Sequence, residues 1–195
     1  MSEKSGWPAL PYADWADTCA ALHLWTQIVG KYRLAHAPWA NHSWHATLYV
    51  TPRGLTTGPV PDGGSAVTLT FDLREHALVG ETPTRRERVA LAPMSVADFL
   101  AQTIALVQRL GGRMDIHGTP NEIADALPFA QDTAPRPYDR VAVERFHLAL
   151  LSVQRVFERF RTGFLGKVSP VHVFWGSFDL AVPRFSGRPA PLHPG

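Results

Sequence analysis

Apolar residues recur at helical spacing in three parts of the chain. In residues 14–30 they return at steps of four and three, and Gly30 supplies a stop. In residues 95–110, Ser95 is the expected N-terminal cap of a second helix with a broad apolar stripe. Residues 139–164 repeat a strict three-four alternation through three heptads. We expect this third and longest helix to pack across a sheet.

Alternation of apolar and polar residues predicts the sheet itself. The predicted strands are residues 43–51, 66–73, 77–82, 87–91 and 113–117. Short turns separate three consecutive members of this set, and together with the first strand they favour an antiparallel meander with one face open to water. Residues 52–65, rich in glycine and proline, are predicted to form a loop.

Residues 163–188 hold the densest mixture of aromatic, glycine and ionisable side chains, and residues 171–182 read as a β-hairpin. Gly176-Ser177 has the Gly-X form of a two-residue type II′ turn, in which the glycine adopts positive φ. The apolar pairs across this hairpin are Trp175 with Phe178, Val173 with Leu180, and Val171 with Val182. The other face then carries His172, Phe174, Asp179 and Ala181.

Together these elements predict an α+β fold, in which a meander and a C-terminal hairpin form antiparallel sheet under about three helices. The hydrophobic fraction of 45% suits an ordinary globular core. We expect one domain over residues 1–187. Residues 188–195 are a proline-rich tail, consistent with a linker to a C-terminal part absent from this chain.

Composition and charge narrow the classes of partner. The net charge is +2 and the basic residues are scattered, so nucleic acid is disfavoured as a partner. No apolar run reaches membrane-spanning length, and the N-terminus lacks a signal-peptide core. Cys19 has no second cysteine to pair with, which fits a reducing cytoplasm, and we expect a cytoplasmic location. A homo-oligomer remains open.

Several runs in the sequence resemble a family of bacterial proteins that is labelled only as a domain of unknown function. These runs are residues 23–31 (HLWTQIVGK), 41–45, 120–122, 128–129 and 166–187. The resemblance covers nearly the whole chain. It implies a bacterial origin, and it implies no activity, cofactor or catalytic residue.

Motifs that would identify a reaction are missing from the sequence. It has no nucleophile elbow, phosphate loop, dinucleotide fingerprint or zinc signature. His42 and His45 invite a metal interpretation, but an odd spacing on a strand sends them to opposite faces. Hydrogen bonding is therefore the favoured role for both, no metal ligand is predicted, and any cofactor stays unknown.

A polar cluster beside the predicted hairpin is the best candidate site. His172 lies diagonal to Asp179, and a carboxylate beside an imidazole is the minimal general-base pair. His45 and Lys167 join them as candidate catalytic residues, with the lysine placed to hold an anion. The candidate ligand-binding residues are Tyr49, Asn121, Glu122, Trp175 and Arg184.

Each of these assignments has a structural alternative. Asp179 could pair with Arg184, His172 could have its nitrogens satisfied under a helix, and Glu122 could be a first-turn helix carboxylate. The leading hypothesis is a small-molecule enzyme or binding protein with a pocket between the sheet and the long loop at residues 118–139. The alternative is a protein-interaction or structural module without catalytic activity.

Overall fold

The computed structural model describes residues 7–189 and 191–192, and it confirms the predicted α+β class. The helices in this part of the chain are α1 (Tyr12–His36), α2 (Val96–Arg109) and α3 (Arg140–Thr162), with short 3₁₀ segments at Asn41–Ala46 and Phe129–Gln131. None of these helices is long and apolar enough to cross a lipid bilayer. The predicted tail at residues 188–195 lies partly outside the described residues.

Six strands form the main sheet, and every pairing in it is antiparallel. They are β1 (Tyr49–Thr51), β2 (Gly54–Thr56), β3 (Val60–Asp62), β4 (Ser65–Asp72), β5 (Ala77–Glu81) and β6 (Arg86–Ala90). Their order is β1-β2-β4-β5-β6, with β3 beside β4. The last three strands of the predicted meander are present as β4, β5 and β6, whereas the first strand is separated from β4 by β2.

Two strand predictions and one loop prediction are wrong in detail. The first strand is much shorter than residues 43–51, because the Asn41–Ala46 turn replaces its start. The predicted loop at 52–65 contains β2 and β3, whose backbones pair with β4. Residues 113–117 are not a strand.

A stack of aromatic rings joins two helices to the sheet. The Trp25 ring of α1 lies 5.0 Å from the Phe99 ring of α2, which lies 6.0 Å from the Phe71 ring of β4. All three side chains are fully buried. Aromatic pairs at these separations stabilise a core by about 0.5–1.5 kcal/mol beyond the area that they bury. This stack fixes α1 over the sheet and so positions the far half of α1.

Helix α1 continues past the predicted stop at Gly30 and ends at His36. A Cβ atom at Gly30 would lie 2.2 Å from Cδ1 of Trp175. The glycine is therefore an interior position at which an indole ring packs directly on the helix backbone, and it does not terminate the helix.

Helix α3 meets the sheet along its edge and does not pack across it as predicted. His147 Nε2 donates to the carbonyl of Thr51 at 2.9 Å, and Gln154 Nε2 reaches the carbonyl of Val50 at 3.4 Å. Both carbonyls belong to β1, the edge strand. These bonds satisfy polar groups that an edge strand would otherwise leave exposed to pairing. Much of the apolar stripe beyond this contact stays accessible, as at Phe160.

The C-terminal hairpin is present. Its strands β7 (His172–Phe174) and β8 (Asp179–Ala181) pair in the predicted register, with Val173 opposite Leu180. Reciprocal backbone bonds between Val173 and Leu48 attach it to the chain just before β1. The predicted type II′ turn is wrong: the positive φ falls on Phe178, at 60°, and not on Gly176. The predicted pair of Val171 with Val182 is absent. Outside β7 and β8 the register changes, because Val168 pairs with Arg184.

Candidate functional site

The predicted general-base pair keeps its register but makes no hydrogen bond. His172 is 1% exposed, its Nδ1 donates to the carbonyl of Pro170 at 2.7 Å, and the Phe174 ring stands edge-on 4.7 Å away. Asp179 is exposed and accepts a hydrogen bond from the Ser177 hydroxyl. A direct hydrogen bond is absent because His172 turns inward beneath aromatic rings while Asp179 faces water. Burial lowers the pKa of His172, and the Asp179 carboxylate still acts to raise it against that larger effect.

Three further predicted residues are not among the residues that line a common cavity with His172 or Asp179. His45 belongs to the Asn41–Ala46 turn, and its Nδ1 meets the backbone of Ala40 at 3.2 Å. The Tyr49 ring lies under the Arg33 guanidinium at 4.9 Å, and the same guanidinium donates to the carbonyl of His45. Arg184 stacks on the Phe160 ring at 3.5 Å, at the end of α3. These contacts do not join the three side chains directly to one another.

The other predicted ligand-binding residues, Asn121, Glu122 and Trp175, line one cavity of about 400 Å³. This volume lies in the range of about 300–1,000 Å³ that is usual for small-molecule sites. The opposite wall carries His42 and Ser43, with apolar surface from Leu34, Ala46 and Phe174. Parts of α1, the Asn41–Ala46 turn, the long loop and the hairpin turn thus converge here, and we refer to this space as the central cavity.

Gln27 of α1 fixes the loop wall of the central cavity. Its Oε1 accepts from the backbone N–H of Asn121 at 2.7 Å, and its Nε2 donates to the carbonyl of Asn121 at 2.9 Å. One turn earlier, His23 Nε2 donates to the carbonyl of Gly176 at 2.7 Å and fixes the hairpin turn. Two side chains of one helix face therefore hold the two segments that carry Glu122 and Trp175.

Lys31 continues that helix face by one more turn and lies beneath the central cavity. It is 3% exposed, its Nζ donates to Oδ1 of Asn121, and the same Nζ sits 5.5 Å from the centre of the Trp175 ring. Burial lowers the pKa of Lys31, because an ammonium loses water on leaving the solvent. Within the described residues no carboxylate forms an ion pair with it.

Left-handed backbone is concentrated around the central cavity. His42, Ser43 and Glu122 each have a φ of 56°, and Phe178 at the hairpin turn has a φ of 60°. A non-glycine residue in this region costs on the order of 1 kcal/mol or more and persists only where its surroundings impose it. Such residues cluster at ligand sites, so this concentration supports a functional role for the cavity.

Lys167 reaches the central cavity only through His42. Its Nζ donates to His42 Nε2 at 2.7 Å and lies 5.5 Å and 5.1 Å from the rings of Trp44 and Phe185. Because a lysine ammonium can only donate, His42 Nε2 is the acceptor of this bond. The predicted catalytic lysine therefore contacts a residue of the cavity wall.

The family model for DUF5996, a family of unknown function, matches residues 7–195. The chain belongs to this family. The match confirms the resemblance seen in the sequence. No curated protein and no solved structure matches the chain. Membership of DUF5996 therefore establishes a family without assigning it an activity.

Metal binding finds no support in the part of this DUF5996 chain that the structure describes, where no three His, Cys, Asp or Glu side chains converge to hold an ion. The residues that sequence reasoning missed are His23, Gln27 and Lys31 as a set. Their spacing of four residues places them on one helix face. That spacing is the signal in the sequence that could have identified them as a set. It could not identify their partners, which lie in distant loops.

Acid is expected to destabilise this DUF5996 chain through His172. Burial is the main cause that lowers the pKa of His172 below 6.5. As the pH falls through about 6.5 the unfolded chain takes up this proton first, so stability falls by at most about 1.4 kcal/mol per pH unit. The loss is complete once the pH is below the folded pKa. Denaturant unfolding between pH 8 and pH 5 should therefore show a weaker pH dependence in His172→Gln than in wild type.

The exposed histidine His117 offers a matched control, since His117→Gln removes an imidazole from the surface. That variant should keep the wild-type pH dependence. An unchanged pH dependence in His172→Gln would show that the buried imidazole does not resist protonation.

Proposed function

We propose that the central cavity binds a small organic molecule, and that the protein is a small-molecule enzyme or binding protein. The supporting observation is the double hydrogen bond from Gln27 to the backbone of Asn121. It holds Asn121 and Glu122 in place before any ligand arrives. Preorganisation of this kind raises affinity because less freedom is lost on binding.

The polar groups of the cavity suit recognition of a ligand that carries hydrogen-bond donors. Glu122 is exposed, and its Oε1 lies so close to Gly176 that a Cβ there would come within 2.3 Å. Its carboxylate can accept hydrogen bonds or a proton from a ligand. The imidazole of His42 and the hydroxyl of Ser43 belong to the facing wall, and Phe174 offers apolar contact. We therefore move the candidate acid-base role from His172 and Asp179 to Glu122.

The cellular setting belongs to the same proposal. The family resemblance indicates a bacterial protein, and the lone Cys19 fits a reducing cytoplasm. The ligand is then a small metabolite of the bacterial cytoplasm.

A thermal-shift screen of small polar metabolites tests the proposal. A ligand at one hundred times its Kd stabilises the folded state by about 2.7 kcal/mol, or roughly 5–10 °C for a chain of this size. We expect at least one compound to raise the Tm of the wild type by several degrees. Glu122→Gln should lose most of that shift while its Tm without ligand stays close to wild type, because Glu122 is exposed.

Gly176→Ala probes the same wall without deleting the carboxylate. The atoms nearest to the added Cβ belong to the flexible Glu122 side chain, so the Cβ should displace the carboxylate at little cost in stability. Gly118→Ala is the matched control, since a Cβ there meets nothing within 4 Å. The proposal fails if no compound stabilises the wild type, or if Glu122→Gln and Gly176→Ala respond to every hit as Gly118→Ala does.

A further inference from the structure

Lys31 differs from the buried carboxylates of the chain, which have strong partners. Asp72 pairs with Arg53, Asp132 pairs with Arg136, and Asp62 accepts bonds from Tyr32 Oη at 3.0 Å and Arg113 N–H at 2.8 Å. Among the described residues, Lys31 contacts only the amide oxygen of Asn121 and the face of an indole ring. An ammonium has three N–H donors, so two of them find no hydrogen-bond acceptor among the described residues.

Both contacts of Lys31 are themselves walls of the central cavity. Because the lysine can only donate, the side-chain oxygen of Asn121 must face it, and the amide NH₂ of Asn121 is left to donate elsewhere. A buried cation thus lies directly behind an amide donor of the cavity wall. Buried charges are normally paired with an opposite charge, and here a bound molecule could supply it.

We propose that the ligand of the central cavity is a small organic acid whose carboxylate binds Lys31 and the amide NH₂ of Asn121. A hydroxyl or amino group at the other end of the acid donates to Glu122. This inference rests on the proposed function and adds the chemical class of the ligand. The acid replaces the missing counterion of Lys31, while Glu122 selects acids that carry a hydrogen-bond donor.

Comparing the affinity of each acid with that of its amide distinguishes recognition of the negative charge from general binding. Lactate with lactamide, glycolate with glycolamide, and serine with serinamide each differ in the carboxylate and keep the hydroxyl donor. Binding to wild-type protein is measured by isothermal titration calorimetry. We expect at least one acid to bind at least 100-fold more tightly than its amide.

Lys31→Met keeps the length of the side chain and removes its charge. We expect this variant to lose at least 100-fold in affinity for the acid. Its Tm without ligand should equal or exceed that of wild type, because a desolvated charge has been replaced by an apolar group. A lysine with a purely structural role would give the opposite result, a lowered Tm. Arg155→Met removes one positive charge from the exposed side of α3, and it should bind the acid as wild type does.

The outcomes distinguish this inference from the proposed function. If amides and acids bind equally, or if Lys31→Met binds the acid as well as wild type does, the acid assignment is wrong. In that case Glu122-dependent binding of a neutral compound would still support the proposed function. If no compound of any charge binds, both are overturned.

Discussion

Gly30→Ala is expected to lower the free energy of unfolding by about 3 kcal/mol or more, although glycine to alanine inside a helix normally raises it by about 0.5–1 kcal/mol. The reversal comes from Trp175, whose Cδ1 would lie 2.2 Å from the new Cβ. That indole is 6% exposed and its Nε1 donates to the carbonyl of Ala46 at 2.6 Å. The ring cannot withdraw without breaking this bond. Overpacking and loss of a buried hydrogen bond cost about 1–3 kcal/mol each.

Equilibrium unfolding in urea measures this effect. Gly163→Ala is the control, because a Cβ at that position meets nothing within 4 Å, and it should change the free energy of unfolding by less than about 0.5 kcal/mol. The Gly30→Ala protein that remains folded should also fail to bind ligands of the central cavity, since Trp175 is part of its wall. Equal or greater stability of Gly30→Ala would contradict the packing of the hairpin on α1.

Features set by local bonds were readable from the sequence. Ser95 caps α2 as predicted, because its hydroxyl accepts from the N–H of Asp98 three residues later at 3.0 Å. The β7-β8 register was also predictable, since side-chain alternation leaves one choice that keeps apolar residues together. In both cases the interacting residues lie within about one turn or one hairpin of each other.

Features set by distant contacts could not be read in the same way. Local pattern predicts a helix stop at Gly30 because the glycine itself carries no sign of Trp175, which lies in a remote hairpin. Left-handed backbone at His42 and Ser43 opposes local preference, so only the surrounding structure can impose it. The four-residue spacing places Lys31 on the same helix face as His23 and Gln27. It gives no sign of Asn121, the loop residue that Lys31 contacts. The candidate site depends mainly on such contacts.

Arg33→Met should also destabilise the protein strongly, by about 3–5 kcal/mol, because hydrogen bonds to a charged group contribute about 1.5–3 kcal/mol each. The guanidinium donates to three backbone carbonyls, those of His45 at 2.8 Å, Thr47 at 2.6 Å and Thr57. Thr47 and Thr57 are buried, so their carbonyls would lose a partner without gaining water. Arg33 thereby joins the end of α1 to the Asn41–Ala46 turn and to the segment after β2.

Arg33→Lys keeps the positive charge and removes the planar, forked guanidinium. A lysine ammonium cannot reach three carbonyls that are arranged around that fork. We expect it to recover less than half of the loss, whereas Arg145→Met, which removes an exposed arginine of α3, should be neutral.

Urea unfolding gives the free energies of unfolding, and amide hydrogen exchange shows which part of the chain is destabilised. Because the turn that Arg33 holds carries His42 and Ser43, exchange should accelerate first at the Leu48 N–H, which donates to the carbonyl of Val173 at 3.0 Å. If Arg33→Lys is as stable as wild type, positive charge alone would suffice at this position, and the fork geometry would not be what holds the wall of the cavity in place.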